Sequence, residues 1–168
     1  MKTVGALIAI ALALALQTSV AWFAPAGTAA VDLVLVAVVY VALTSGPVAG
    51  LFAGSGAGML QDALSSGVIG IGCLSKAVVG FLVGVVAQQF IVTATLPRFF
   101  MFAAGSVVHA ALFIGLYRVL GLLEFPSPWA AVAGQAAANA AVGLVVFMVV
   151  EGLPGVMERR RVSRRPKR

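Results

Sequence analysis

Between Val4 and Leu153 the chain runs through one apolar stretch after another, with breaks of only a few residues, and this succession limits the fold more than any other feature. A hydrocarbon core about 30 Å thick and a helical rise of 1.5 Å per residue ask for about 20 apolar residues per crossing. The segments Val4 to Phe23, Val31 to Thr44, Pro47 to Leu60, Val68 to Phe90, Phe99 to Leu120 and Pro128 to Leu153 meet or approach that length. The breaks between them hold turn residues: Pro25 and Gly27, Gly46 and Pro47, Ser65 to Gly67, Pro97, and Pro126 with Pro128. A water-soluble alternative fails on composition, because 62% of the residues are hydrophobic and 10% charged. A soluble globule of this size leaves about 30% of its unfolded surface facing water. The solvent is therefore a bilayer, and the fold class an all-α polytopic bundle of six transmembrane helices.

The second and third segments are short. Read as one helix, Val31 to Leu60 would run about 45 Å with Gly46 and Pro47 in its middle, which overshoots the core and breaks at the proline. Two short or tilted spans fit better; merging them would leave five. Orientation follows from charge, since Lys and Arg collect on the cytoplasmic side. Seven of the eleven basic residues lie between Arg159 and Arg168. With six spans, Lys2 and Arg98 join them inside and Arg118 stands alone outside. The start of the chain has the outline of a secretory signal, but its apolar run extends to Phe23 and more spans follow, so it reads as an uncleaved first span.

Two regions follow: a bundle over residues 1–154 and a basic cytoplasmic tail over 155–168 that is too charged to fold alone. Arg159, Arg160, Arg161, Arg164 and Arg165 suit contact with anionic lipids, at about 1 kcal/mol for each residue near the surface. A basic end beside apolar spans indicates the cytoplasmic membrane face and no nucleic acid. The single cysteine, Cys73, allows neither a disulfide nor a cysteine-based metal site. No cofactor is implied: Gly54 to Gly58 lacks the lysine of a nucleotide loop and lies inside an apolar segment.

Glycines form the clearest pattern. Gly46, Gly50, Gly54 and Gly58 recur every four residues along the third segment, and Gly80 and Gly84 repeat the spacing in the fourth. Small residues at i and i+4 let helices approach closely in lipid, which serves internal packing or the docking of a partner helix. Ala133, Ala137 and Ala141, beside Gly134 and Ala138, offer a second stripe. Asp62 and Lys76 are the polar pair that stands out, and a hairpin turning at Ser65 to Gly67 would let the lysine reach back to the carboxylate as a structural ion pair. Asp32 and Glu151 sit at span ends, where interfacial solvation suffices, and Trp22 and Trp129 mark interfaces. The only histidine, His109, has no nucleophilic constellation around it and is expected to bond a neighbouring span, such as that of Gln135 or Asn139.

The stretch from Gly58 through Asp62, Gly67, Gly70, Leu74-Ser75-Lys76 and Gly80-Phe81-Leu82 resembles the core signature of the MreD family of bacterial rod shape-determining membrane proteins. The resemblance extends loosely over most of the chain: its length, an aromatic end to the first span, an acidic start to the second at Asp32, and the basic C-terminus. It implies a non-enzymatic inner-membrane member of the cell-elongation machinery that pairs with MreC and shares an assembly with MreB, RodA and the elongation transpeptidase. It also implies a fold similar to the substrate-binding subunits of energy-coupling-factor transporters, and with it a rival function in vitamin uptake. A proton-coupled carrier is the third reading, resting on Asp62 and Lys76 alone.

Overall fold

A computed structural model describes residues 2–23, 31–65, 67–90, 95–122 and 129–163, and the regular structure among them is entirely helical. The helices are α1 (Lys2–Phe23), α2 (Leu33–Ser45), α3 (Pro47–Leu64), α4 (Ile71–Gln89), α5 (Thr95–Val119) and α6 (Trp129–Ser163). The six expected segments each become a helix. By length and apolar character α4, α5 and residues Trp129–Val150 of α6 are able to cross a membrane, while α2 and Gly5–Ser19 of α1 are shorter apolar helices. At 13 residues α2 rises only about 20 Å.

Gly46 separates α2 from α3. Its φ of 90° is open to glycine at little cost, and Pro47 behind it has no N–H to carry the α2 hydrogen-bond ladder onward. Pro47 instead takes the first position of α3, where a missing N–H is harmless. A single long helix is thereby ruled out.

α2 is the centre of the bundle and contacts all five other helices. Its sequence is apolar on every face, which in a helix means burial all round. Leu35, Val39 and Ala42 pack with Val79, Val83, Phe102, Ala140 and Phe147 on one side. Val34, Ala37 and Val38 pack with Ile10, Ala13, Leu14 and Ala57 on the other. Arg98, at the start of α5, lies with its guanidinium 4.2 Å from the centre of the Phe147 ring, so its charge is stabilised by the aromatic face.

The most extensive contact joins α3 and α4. They run antiparallel, with Gly50 facing Gly80, Gly54 facing Lys76, Gly58 facing Cys73, and Gly84 facing Pro47. A β-carbon on Gly58 would lie 2.7 Å from the Cys73 α-carbon, and one on Gly50 would meet the Gly80 carbonyl. The backbones touch because there are no side chains between them.

At the C-terminus the structure departs from expectation. α6 continues through 155–163, beyond the span end at Leu153 that the sequence suggested; residues 164–168, with Arg164 and Arg165, lie outside the described residues. Met157 to Val162 holds good helix formers, although α6 reaches them through Gly152, Pro154 and Gly155, which disfavour a helix.

Candidate functional site

Polar side chains in this apolar bundle gather at one end, where α2, α4 and α6 begin and α3 and α5 finish. Asp32 stands at the N-cap of α2, and its Oδ1 accepts the Leu35 amide at 2.9 Å. Its Oδ2 lies 2.8 Å from Nζ of Lys76, and both side chains are almost fully buried. Lys76 Nζ also lies 3.1 Å from His109 Nε2. An ammonium only donates, so Nε2 accepts and the imidazole proton sits on Nδ1. Asn139 on α6 accepts the Asp32 amide at 2.8 Å through Oδ1 and donates to Ser106 Oγ at 2.9 Å. The Ser106 hydroxyl then donates to the Phe102 carbonyl of its own helix. On α1, Gln17 accepts the Leu33 amide at 2.8 Å and donates to the Val31 carbonyl at 3.2 Å. One buried network thus ties four helices together through α2, and Gln17 fastens a fifth.

This geometry corrects the pairing read from sequence. Lys76 bonds Asp32, not Asp62. The Asp62 Oδ2 accepts the amides of Gly70 at 2.8 Å and Cys73 at 3.1 Å, the N-cap and third residue of α4. Those N–H groups have no partner within the helix, and a carboxylate there is also favoured by the helix dipole. Gly72 leaves the room: a β-carbon on it would collide with Oδ1 of Asp62. Asp62→Ala should therefore loosen the start of α4, costing about 1–2 kcal/mol. That corresponds to a thermal midpoint lower by about 2–8 °C for a chain of this size. Asp62→Asn, which keeps an acceptor oxygen, should lose less, and a detergent unfolding series would separate the two.

Sequence reasoning missed Asp32, Ser106 and Asn139 as members of the network, and it expected His109 to bond the span of Gln135 or Asn139, where the structure gives it Lys76 of α4. The available signal was Lys76 itself. A lysine far inside an apolar run requires a carboxylate, and once Asp62 is assigned to capping, Asp32 is the acid left at that end among the described residues.

Beside the network opens a cavity of about 360 Å³, lined by Gln61 and Asp62 of α3, Lys76 of α4, Phe113 and Tyr117 of α5, and Gln135 of α6, among others. His109, Phe113 and Tyr117 line one wall at four-residue spacing, with ring centres 5.8 and 4.8 Å apart. Tyr117 Oη accepts the Val68 amide at 3.4 Å. Oε1 of Gln61 is buried and has no hydrogen-bond partner. Towards the other end of the bundle a larger apolar groove of about 920 Å³ lies among Leu7, Ile10, Phe52, Ala53, Ala57 and Gly84.

The small-residue stripes have different fates. Gly50, Gly54, Gly58, Gly80 and Gly84 are all buried in the α3–α4 seam. Ala133, Gly134, Ala137 and Ala141 are exposed along one side of α6. Trp129, at the first turn of α6, is exposed. Among the described residues no group of three His, Cys, Asp or Glu side chains is placed to hold a metal ion.

Compared with known proteins, the chain matches the family model described as rod shape-determining protein MreD over residues 1–154. No curated protein and no solved structure matches it.

Proposed function

This chain belongs to the MreD family of rod shape-determining proteins, and from that premise we propose that it acts as a non-enzymatic scaffold of the bacterial cell-elongation machinery. Its bundle lies in the inner membrane with the C-terminal basic residues on the cytoplasmic side, where Arg159, Arg160 and Arg161 meet anionic lipids. It holds the membrane helix of MreC, within an assembly that includes MreB, RodA and the elongation transpeptidase.

The observation that carries this reading is the exposed stripe of Ala133, Gly134, Ala137 and Ala141 on α6. Helices in lipid gain nothing from hydrophobic transfer and associate through close backbone contact, which small residues permit. The glycines of α3 and α4 already serve that purpose within the chain. The α6 stripe is the equivalent surface left open to a second helix.

Ala137→Leu should lower recovery of MreC with a tagged copy about tenfold, a loss of about 1.4 kcal/mol, without changing the amount of folded protein. Val150→Leu, at an exposed position on the opposite side of α6, serves as control. Unchanged MreC recovery with Ala137→Leu would remove α6 as the docking face.

A further inference from the structure

We infer that the cavity at the ends of α3 and α5 is a binding site for a small ligand bearing an ammonium group. The inference goes beyond the scaffold role and does not rest on it.

The sign of the ligand follows from the fixed groups facing the cavity on every element around it. Asp32 of α2 and Lys76 of α4 neutralise one another at 2.8 Å. His109 of α5 accepts from Lys76 and is thereby a neutral ring. Gln135 of α6 is uncharged. Asp62 of α3 is bonded to two backbone amides and to no cationic side chain, so the cavity keeps a net negative charge. With its lysine paired to Asp32, the lining offers an anion no uncompensated cationic side chain.

The polarity of the unmet hydrogen bond agrees. Gln61 Oε1 is an acceptor, buried without a donor, next to Asp62 in the same lining. A buried acceptor left unpaired carries a desolvation penalty that a donor-bearing ligand would relieve. The rings of Phe113 and Tyr117 complete the set, since aromatic faces attract ammonium ions, the more so when water is excluded. At about 360 Å³ the cavity lies at the lower end of the size range of small-molecule sites. A carboxylate, an unpaired amide oxygen and aromatic rings among the residues lining such a volume are the chemistry of ammonium recognition.

The test uses the full chain in maltoside micelles, with benzylammonium as probe and benzyl alcohol as its neutral counterpart, followed by saturation-transfer NMR and calorimetric titration. Benzylammonium should bind about tenfold more tightly than benzyl alcohol, and Gln61→Leu should weaken it by about the same factor. Gln61→Leu replaces an unsatisfied group with an apolar one and should fold normally; Gln61→Glu adds a carboxylate at the same place and should tighten binding. No binding of benzylammonium, equal affinity for the two probes, or indifference to both substitutions would overturn the inference. Two sources share this chemistry, a free amine and the headgroup of phosphatidylethanolamine. Displacement of the probe by added phosphatidylethanolamine would identify the lipid, and persistence of the probe would identify a free amine; the site stands in both cases.

Discussion

Gly54→Ala is expected to unfold the bundle, and Gly54→Leu to do so more completely. A β-carbon at this position would lie 2.8 Å from the Ala77 backbone nitrogen and closer still to the Lys76 carbonyl group. These are backbone atoms inside a helix, so no rotamer change relieves the collision. The helices would have to separate, and the contacts of Gly50, Gly58, Gly80 and Gly84 would open with them. Overpacking of this kind costs about 1–3 kcal/mol where neighbours can shift, and more where they cannot, so about 3–5 kcal/mol is expected here. Size-exclusion profiles and thermal midpoints in detergent would show it directly, and cells relying on the variant should lose rod shape because the protein is missing. Gly56 is the internal control. It lies on the same helix with nothing within 4 Å of a built β-carbon, so Gly56→Ala should be neutral or gain up to about 1 kcal/mol from helix propensity. If Gly54→Leu stayed folded and lost only partner binding, the stripe would be a docking surface and the α3–α4 seam would be misplaced.

Several of the residues quoted for the family resemblance have a geometric task in this region. Gly58 and Gly80 let α3 and α4 touch, Asp62 and Gly70 cap α4, and Lys76 closes the buried ion pair. The helices were legible because membrane spans announce themselves by length and apolarity, and the break at Gly46 because a positive-φ glycine followed by proline has few other uses. Several helix ends were not: Pro97 was read as a break, but it lies in the first turn of α5. Val68 was read as the start of the fourth span, but the turn through Gly70 delays the helix to Ile71. α6 was read as ending at Leu153, but it continues past Pro154 to Ser163.

The site was less legible because its contacts are distant along the chain. Asp62 and Lys76 are close enough in sequence to suggest a hairpin pair, and nothing local shows that the free amides of α4 hold the carboxylate first. Asp32 reaches Lys76 only because α2, the shortest helix, occupies the centre and presents its N-cap to the interior. Asn139 meets the Asp32 amide across 107 residues. Such pairings depend on the order in which helices surround α2, which hydropathy does not encode.

Lys76→Met should be the most damaging polar substitution in the chain, and its rescue should identify the partner. Removing the ammonium leaves Asp32, 5% exposed, as an uncompensated charge in a low-dielectric interior. Breaking a buried pair in this way costs about 3–5 kcal/mol, or about 6–20 °C in thermal midpoint. Replacing both members should cost much less, because no charge then remains buried. Asp32→Asn is the suitable second change, since an amide oxygen at Oδ1 can still accept the Leu35 N–H that caps α2. The pair Asp32→Asn with Lys76→Met should recover all but about 1 kcal/mol, the remainder being the bond that His109 loses. A double-mutant cycle on thermal midpoints should then give a coupling of at least about 2–4 kcal/mol, increased by the cost of Asp32→Asn alone, which leaves the buried ammonium without its carboxylate. The same cycle run with Asp62→Asn should be additive, because Asp62 serves the amides of α4 and makes no contact with the lysine ammonium. Coupling to Asp62 with additivity at Asp32 would reverse the assignment and restore the hairpin pairing suggested by the sequence.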